Sequence, residues 1–507
     1  MTSPTRAELL DRLRYGKVWD VVIVGGGASG LGAAVDAAAR GYSTLLLERG
    51  DYACGTSSRS TKLIHGGVRY LRQGDIGLVR HALAERNRLL INAPHLVHPL
   101  PFIIPARSAV QRLYYGAGLR LYDLLAGASS LQASRLLDRG ETLAALPGLD
   151  PLGVAGGVRY WDAQFDDARL AIALMRTASE FGAICLNYSP VEGLLQANGR
   201  VCGVAARDVE SGESFEIQAR VVINATGVYA DAVRRFEQPD STPILSPSQG
   251  IHLVLDADFL PGGTALMIPE TADGRVMFAI PWEGRVLLGT TDTPRRDLPV
   301  VPLPFAEEID FLLDAAGKVL LRAPTRADIR SAFAGLRPLL DAGRGAPGGT
   351  AALSREHAVL VSQAGLVTVA GGKWTTYRLM AEQVVNKAAE VGELMTLPCA
   401  TAMLRLAGGE PEDAEQLSQL PGQGIRLHPA FDFDEAAVRY ACRYEAARTV
   451  EDVLARRSRA LFIDATAARA CIGRVGELLA EELQLSSERL EDLISQARTS
   501  SNQFSCA

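Results

Sequence analysis

Residues 21–48 read VVIVGGGASGLGAAVDAAARGYSTLLLE, and this stretch decides the fold. Residues 17–24 form a β-branched, apolar run, the pattern of a strand buried on both faces. Residues 28–40 are rich in alanine and predict a helix, which Gly41 ends. Residues 43–48 predict a second buried strand. Strand, helix and strand at this spacing make a βαβ unit, and such a unit builds a parallel sheet. Between the first strand and the helix lies Gly25-Gly26-Gly27-Ala28-Ser29-Gly30, a GxGxxG turn. Gly25, Gly27 and Gly30 permit the tight turn and let the backbone approach a pyrophosphate at the helix N-terminus. Glu48 ends the second strand, where a carboxylate can accept both ribose hydroxyls of an adenosine.

The rest of the chain extends this domain and adds two others. The 507 residues exceed one ordinary core, so two or three domains are expected. Helices are predicted over residues 78–92 and 166–182. Residues 191–195, 201–208 and 214–218 suit an antiparallel meander, and residues 220–224 another buried strand. From residue 244 to 292 short strands and turns predict a β-rich domain. Residues 366–370 form one more buried strand, followed by Gly371-Gly372 and a helix from about 375 to 391. Residues 408–429 are rich in Gly, Pro and Gln and read as a linker. Residues 431–497 read as helical throughout. The expected fold is α/β: a Rossmann-like domain interleaved with a β-rich substrate domain, plus an all-α C-terminal domain. The interleaved pair spans residues 1–405, with cofactor parts at approximately 17–95, 150–240 and 350–395 and substrate parts at approximately 96–149 and 241–349. The helical domain takes residues 406–507.

Composition narrows the function. Net charge is −6, which argues against nucleic acid as a partner and leaves an anionic substrate dependent on a local basic pocket. The seven cysteines are scattered and form no CxxC pair, which argues against disulfides and against a zinc or iron–sulfur site and suits a reducing cytoplasm. His81, His95, His98, His357 and His428 show no ligand spacing, so no metal is expected. Residues 1–14 are polar and lack the apolar core of a secretory leader, and no apolar run is long enough to span a bilayer. Arg439, Arg443, Arg448, Arg456, Arg457 and Arg459 could offer lipid headgroups a basic face, but Glu445, Glu451 and Asp452 favour a solvated face of paired charges.

Three further segments favour FAD over NAD. Thr56, Ser57, Ser58 and Lys62 belong to a hydroxyl-rich loop after the second strand that could satisfy pyrophosphate and flavin edge atoms. Ala225 and Gly227 belong to an Ala-Thr-Gly turn at a strand end, a second contact for the adenosine half. Gly372 and Lys373 precede a helix and place N–H groups and a cation where a flavin's pyrimidine ring would end, which favours the reduced anion.

The motifs GTSSRSTKLIHGGVRYL, FDDARL, NATG, GIHLV, IPWEGRVLLGTTDT, GLRPL and GGKWTTYR occur in order between residues 20 and 378. Together with the glycine turn they resemble the FAD-dependent, respiratory glycerol-3-phosphate dehydrogenases, of D-amino-acid-oxidase-like fold. Residues 438–461 resemble that family's helical tail. The resemblance implies FAD as cofactor and sn-glycerol 3-phosphate as substrate, oxidised to dihydroxyacetone phosphate by hydride transfer to the flavin. It implies a membrane quinone as acceptor and a cytoplasmic enzyme, peripheral on the inner face of the cytoplasmic membrane. A homodimer is an open alternative to a monomer. An oxidase making hydrogen peroxide is the other reading; such oxidases carry a mid-chain insertion that is not seen between Thr293 and Ser331.

The substrate needs a phosphate clamp and a base for its C2 hydroxyl. Arginine's planar fork suits the phosphate, and Arg337, Arg69 and Arg355 are the candidates. His252 is the first candidate base, since histidine titrates near neutrality; His65 and Lys373 are the others, His65 having the additional reading of a loop holder beside Gly66-Gly67. The resemblance puts all three near the flavin without choosing among them.

Overall fold

A computed structural model describes residues 4–14, 16–68, 71, 75–271, 274–341 and 357–505. The βαβ unit forms as expected, with strands Trp19–Val24 and Thr44–Leu47 flanking the helix Ala28–Ala39. Its sheet runs in the order His357–Val361, Val367–Gly371, Ser214–Asn224, Trp19–Val24, Thr44–Leu47, Ile184–Leu186. Every pair is parallel except the His357–Val361 edge hairpin. Strand alternation divides the first strand between two cores. Val21 and Ile23 pack under the helices Ala28–Ala39, Asp167–Glu180 and Tyr377–Val391. Val22 and Val24 face the antiparallel meander of Val191–Ala197, Arg200–Arg207 and the start of Ser214–Asn224.

The second sheet is mixed and ten-stranded. Its strand Ser248–Asp256 lies between Arg285–Gly289 and Ser331–Arg337, antiparallel to both. Strands Leu63–Ile64 and Gly156–Phe165 also belong to this sheet. Both fall in stretches that the sequence placed in the cofactor part, so the chain crosses between the two sheets more often than linear boundaries suggest. One face of the second sheet packs on the helix Ala306–Gly317, the other on the C-terminal helices.

The expected linker contains a helix, Pro411–Ser418, tied back by an Arg176–Asp413 ion pair. The helical domain is broken where the sequence read it as continuous. Helix Glu435–Tyr444 is parted from Ala460–Ile463 by a segment holding Ala446 at φ 53° and Arg459 at φ 62°, Asp464 in extended backbone parts that helix from Ala465–Leu483, and Gln484 at φ 55° ends the latter before Ser487–Ser501. Its arginines correct the expectation of a solvated face. Arg439 and Arg443 pair with Glu482 and Arg448 with Glu210, whereas Arg456, Arg457 and Arg459 are buried against the cofactor domain. Arg456 and Arg457 share the carboxylate of fully buried Asp51, and Arg459 reaches Asp167 at 3.0 Å. These contacts dock the C-terminal domain onto the turn that follows Glu48 and onto the start of the helix Asp167–Glu180.

Candidate active site

A cavity of about 460 Å³ runs from Glu48 to His252 and Lys373, within the range of cofactor sites. Its walls include the glycine turn, the end of the second strand at Glu48, the loop of residues 53–65, the Ala225–Gly227 turn with the helix after it, the second sheet, and the Gly371–Thr375 turn. At one end, Gly25 stands at φ 108°, and a Cβ there would lie 2.7 Å from the Ala225 carbonyl oxygen. Only glycine makes this crossing. Gly27 is the N-cap of helix Ala28–Ala39 and offers no side-chain cap, so the helix N-terminus opens to the cavity. Gly30 does not line the cavity. A Cβ on it would lie 1.9 Å from the Gly25 carbonyl, so its part is to let helix and turn touch.

Glu48 accepts from the Gly26 N–H at 2.6 Å and the Gly50 N–H at 2.8 Å. Burial raises its pKa, against those two donors. Ser57 Oγ accepts from the Ala28 N–H at 2.9 Å, and its carbonyl accepts from Trp374 Nε1 at 2.9 Å. The hydroxyl loop is thereby fixed to both ends of the cavity. Thr56 donates to the Leu336 carbonyl at 2.6 Å, joining the loop to the second sheet. Ser58 and Lys62 are buried behind this loop and do not line the cavity, contrary to a direct cofactor contact by either side chain. Gly227 lines it at φ 57°, and Gly372 at φ 78° turns the chain toward Lys373. The thiol of Cys54, also at the wall, is pushed far above its usual pKa by burial and then by Glu48, which leaves it inert.

At the other end, Arg337 and His252 meet across neighbouring strands. Arg337 is the ladder partner of Ser248, and its guanidinium folds back over Gly250, where a Cβ would lie 2.0 Å from Nη2. Nη2 donates to Thr290 Oγ1 at 3.0 Å and to the Thr291 carbonyl at 2.8 Å, and Nη1 stands 3.3 Å from Asp292. His252 lies over Gly289, where a Cβ would come within 2.3 Å of the imidazole. Its Nε2 is 2.9 Å from Thr61 Oγ1, and its ring stacks on Phe333 at 5.0 Å. Burial first, then the charges of Lys62 and Arg337, hold its pKa well below 6.5. A neutral imidazole is the form that accepts a proton. Thr61, His65, Thr290, Asp292 and Arg337 also line an adjoining space of about 150 Å³, large enough for a small substrate's polar end. His65 lies beside Thr375, its N–H 3.3 Å from the hydroxyl.

The structure thus brings together Gly25, Gly27, Glu48, Thr56, Ser57, His65, Ala225, Gly227, His252, Arg337, Gly372 and Lys373 at one cavity. Arg69 and Arg355 lie outside the described residues. The sequence reading missed Gly250, Gly289, Thr290 and Asp292, although glycine inside a strand is itself a signal of close approach. The residues fit an FAD: an open helix N-terminus and glycine turn for the pyrophosphate, Glu48 for the ribose, and Lys373 with the turn before it at the flavin end. Among the described residues no group of side chains could hold a metal ion.

Residues 20–378 match the family described as FAD dependent oxidoreductase, and residues 371–490 match the C-terminal domain of alpha-glycerophosphate oxidase. The mitochondrial glycerol-3-phosphate dehydrogenase of Bos taurus is 38% identical over 546 residues, covering 98% of this chain and 75% of the bovine protein. That of Arabidopsis thaliana is 38% identical over 538 residues, covering 94% of this chain and 85% of the plant protein. Among solved structures, the glycerol-3-phosphate dehydrogenase of Bacillus halodurans complexed with FAD superposes with a TM-score of 0.78 at 29% identity, covering 99% of this chain and 98% of that one. The FAD-bound L-alpha-glycerophosphate oxidase of Mycoplasma pneumoniae shares the fold at a TM-score of 0.58 and 17% identity, over 77% of this chain and all of that one. With a family match over most of its length and relatives of this identity, the chain belongs to the FAD-dependent glycerol-3-phosphate dehydrogenases.

Proposed function

We propose that the chain oxidises sn-glycerol 3-phosphate to dihydroxyacetone phosphate and delivers the electrons to a membrane quinone. The observation that carries this reading is the pairing of a fixed guanidinium with a neutral imidazole at one end of the cavity. Arg337, oriented by Thr290 and Thr291, holds the phosphate through charge-assisted hydrogen bonds. His252 takes the C2 hydroxyl proton as the C2–H bond breaks, with Thr61 fixing its ring. FAD, when bound, supplies the hydride acceptor. His65 holds the loop, and Lys373 places a cation at the flavin end. Arg69 and Arg355 are proposed as further phosphate contacts.

The quinone acceptor requires a surface that meets the bilayer. No helix among the described residues is long and apolar enough to cross a membrane. The helix Ala109–Ala126, however, exposes Val110, Leu113, Tyr114, Leu121 and Leu124 along one face, with Val110 77% and Leu124 76% exposed. Arg107 and Arg120 are exposed beside them. An amphipathic helix of this kind lies in a lipid interface. The same helix buries Tyr122, which accepts from the Gly66 N–H at 2.8 Å and so touches the loop of His65. A peripheral location on the inner face of the cytoplasmic membrane follows from this reading. The experiment compares turnover of glycerol 3-phosphate with a soluble quinone analogue and with O₂, alongside membrane fractionation. Fast quinone reduction in the membrane fraction is expected. A soluble enzyme fast with O₂ and inert to quinones would select the oxidase reading.

A further inference from the structure

Behind His252 lies a buried charge cluster that no cofactor or substrate contact requires. Lys62 has no exposed surface, and its ammonium donates to Asp167 Oδ2 at 2.6 Å and to the Ser58 carbonyl at 2.8 Å. The rings of Phe333, Phe462 and Trp282 close around it at 5.0, 5.3 and 5.6 Å. This shell of carboxylate, carbonyl and aromatic faces is built for a cation. Burial lowers the lysine's pKa to about 7 against the pull of Asp167, so the ammonium is charged across the acid range in which His252 titrates. The second oxygen of Asp167 accepts from Arg459 of the C-terminal domain at 3.0 Å, and Arg459 also donates to Ser58 O at 3.1 Å. Two buried cations therefore share one buried carboxylate. The nearest further acid, Asp166, stands 3.5 Å from Arg459 and is more exposed.

This cluster adjoins His252 by two routes. Thr61, the residue before Lys62, is 2.9 Å from His252 Nε2. Phe333, one wall of the lysine's shell, carries the stacked imidazole. His252 Nδ1 is buried and has no hydrogen-bond partner among the described residues, so no carboxylate bonds the ring directly to favour its charged form. The other charged groups around its strand are spoken for or lie across the cavity. Arg337 adjoins Asp292; Glu308 accepts from Gln249 and Thr291; Arg285 pairs with Asp256 and Asp464; His65, Arg59 and Lys373 line the cavity wall.

We infer that Lys62 is a positioning residue for the reaction: its buried charge, held by the Asp167 carboxylate that it shares with Arg459 of the C-terminal domain, adds to burial in keeping His252 neutral and ready to accept the substrate's proton. The inference rests on the reading of His252 as the base. It gives the C-terminal domain a part in the chemistry, since that domain supplies the second cation.

The test uses holoenzyme labelled with ¹³C-histidine, in which the His252 Cε1 resonance is identified by its absence from His252→Gln. In Lys62→Met the pH at which His252 protonates should rise by about one pH unit, the order of effect of a neighbouring buried charge. The acid limb of kcat/KM should move with it, and Lys62→Arg should leave both in place. Should Lys62→Met lose FAD, Arg459→Gln keeps the Lys62–Asp167 pair and should shift the resonance the same way by less. A His252 titration unchanged in the folded variants overturns the inference. Persistence of the acid limb in His252→Gln overturns instead the assignment of the base, and the NMR titration still decides the charge effect by itself.

Discussion

Replacing Gly250 by alanine tests the geometry of the phosphate clamp without touching any charged residue. The added Cβ would stand 2.0 Å from Arg337 Nη2 and 2.6 Å from Thr290 Oγ1, so the guanidinium must leave its place over the strand. The atom displaced is the free end of a long side chain, and the backbone at Gly250 is ordinary strand. The stability cost should therefore be small, about 1 kcal/mol. Binding should suffer more. A hydrogen bond to a charged group contributes about 1.5–3 kcal/mol, which corresponds to roughly a 10- to 150-fold fall in kcat/KM. The loss should appear mainly in KM, because the phosphate is held alike in ground and transition states. Steady-state kinetics with glycerol 3-phosphate, beside FAD content and thermal melting, measures each part. A variant that keeps its FAD, melts normally and shows wild-type kcat/KM would refute the placement of the phosphate at Arg337.

Three further outcomes are expected. Gly27→Val should yield protein without flavin absorbance, since even a Cβ there lies 3.1 Å from Ser57 Oγ and the valine methyls would fill the open helix N-terminus; full FAD content would remove the dinucleotide assignment. Asp51→Ala should lower stability to denaturant by about 3–5 kcal/mol, because it strands the buried Arg456 and Arg457, and a loss below about 1 kcal/mol would show that the two domains dock without this contact. His252 has a folded pKa depressed below 6.5, so its contribution to stability is complete above that pH and is lost as pH falls through the folded value; kcat/KM should accordingly stay level on descending through pH 6.5, and an acid limb centred there would contradict a neutral buried base.

The glycine turn, its flanking strands and Glu48 are legible in the sequence because they depend on local chemistry: a positive φ at Gly25, a buried β-branched run, a strand-end carboxylate. The convergence of Ala225, Gly372 and His252 on one cavity is visible in the motifs alone, since periodicity along one strand does not say which strand lies beside it. Gly250 and Gly289 escape notice for this reason; their purpose emerges only once Arg337 and His252 arrive from neighbouring strands. Lys62 reads as a cofactor contact because a lysine in a polar loop normally points outward, whereas φ 61° and the Asp167 carboxylate turn it into the core. Arg456, Arg457 and Arg459 resemble a solvated helix face in sequence. Arg456 does make the expected i,i+4 pair with Asp452, but the acids that draw the three into the interior, Asp51 and Asp167, are hundreds of residues away, where no helical spacing rule reaches.

The most direct measurement of the central claim is the visible spectrum of the purified holoenzyme under anaerobic conditions, titrated with sn-glycerol 3-phosphate and then, separately, with glycerol. If Arg337 clamps the phosphate and His252 accepts the proton, the phosphate ester should bleach the flavin stoichiometrically at low concentration, while glycerol leaves it oxidised. A flavin that stays oxidised with glycerol 3-phosphate, or that bleaches equally with both compounds, would contradict the account.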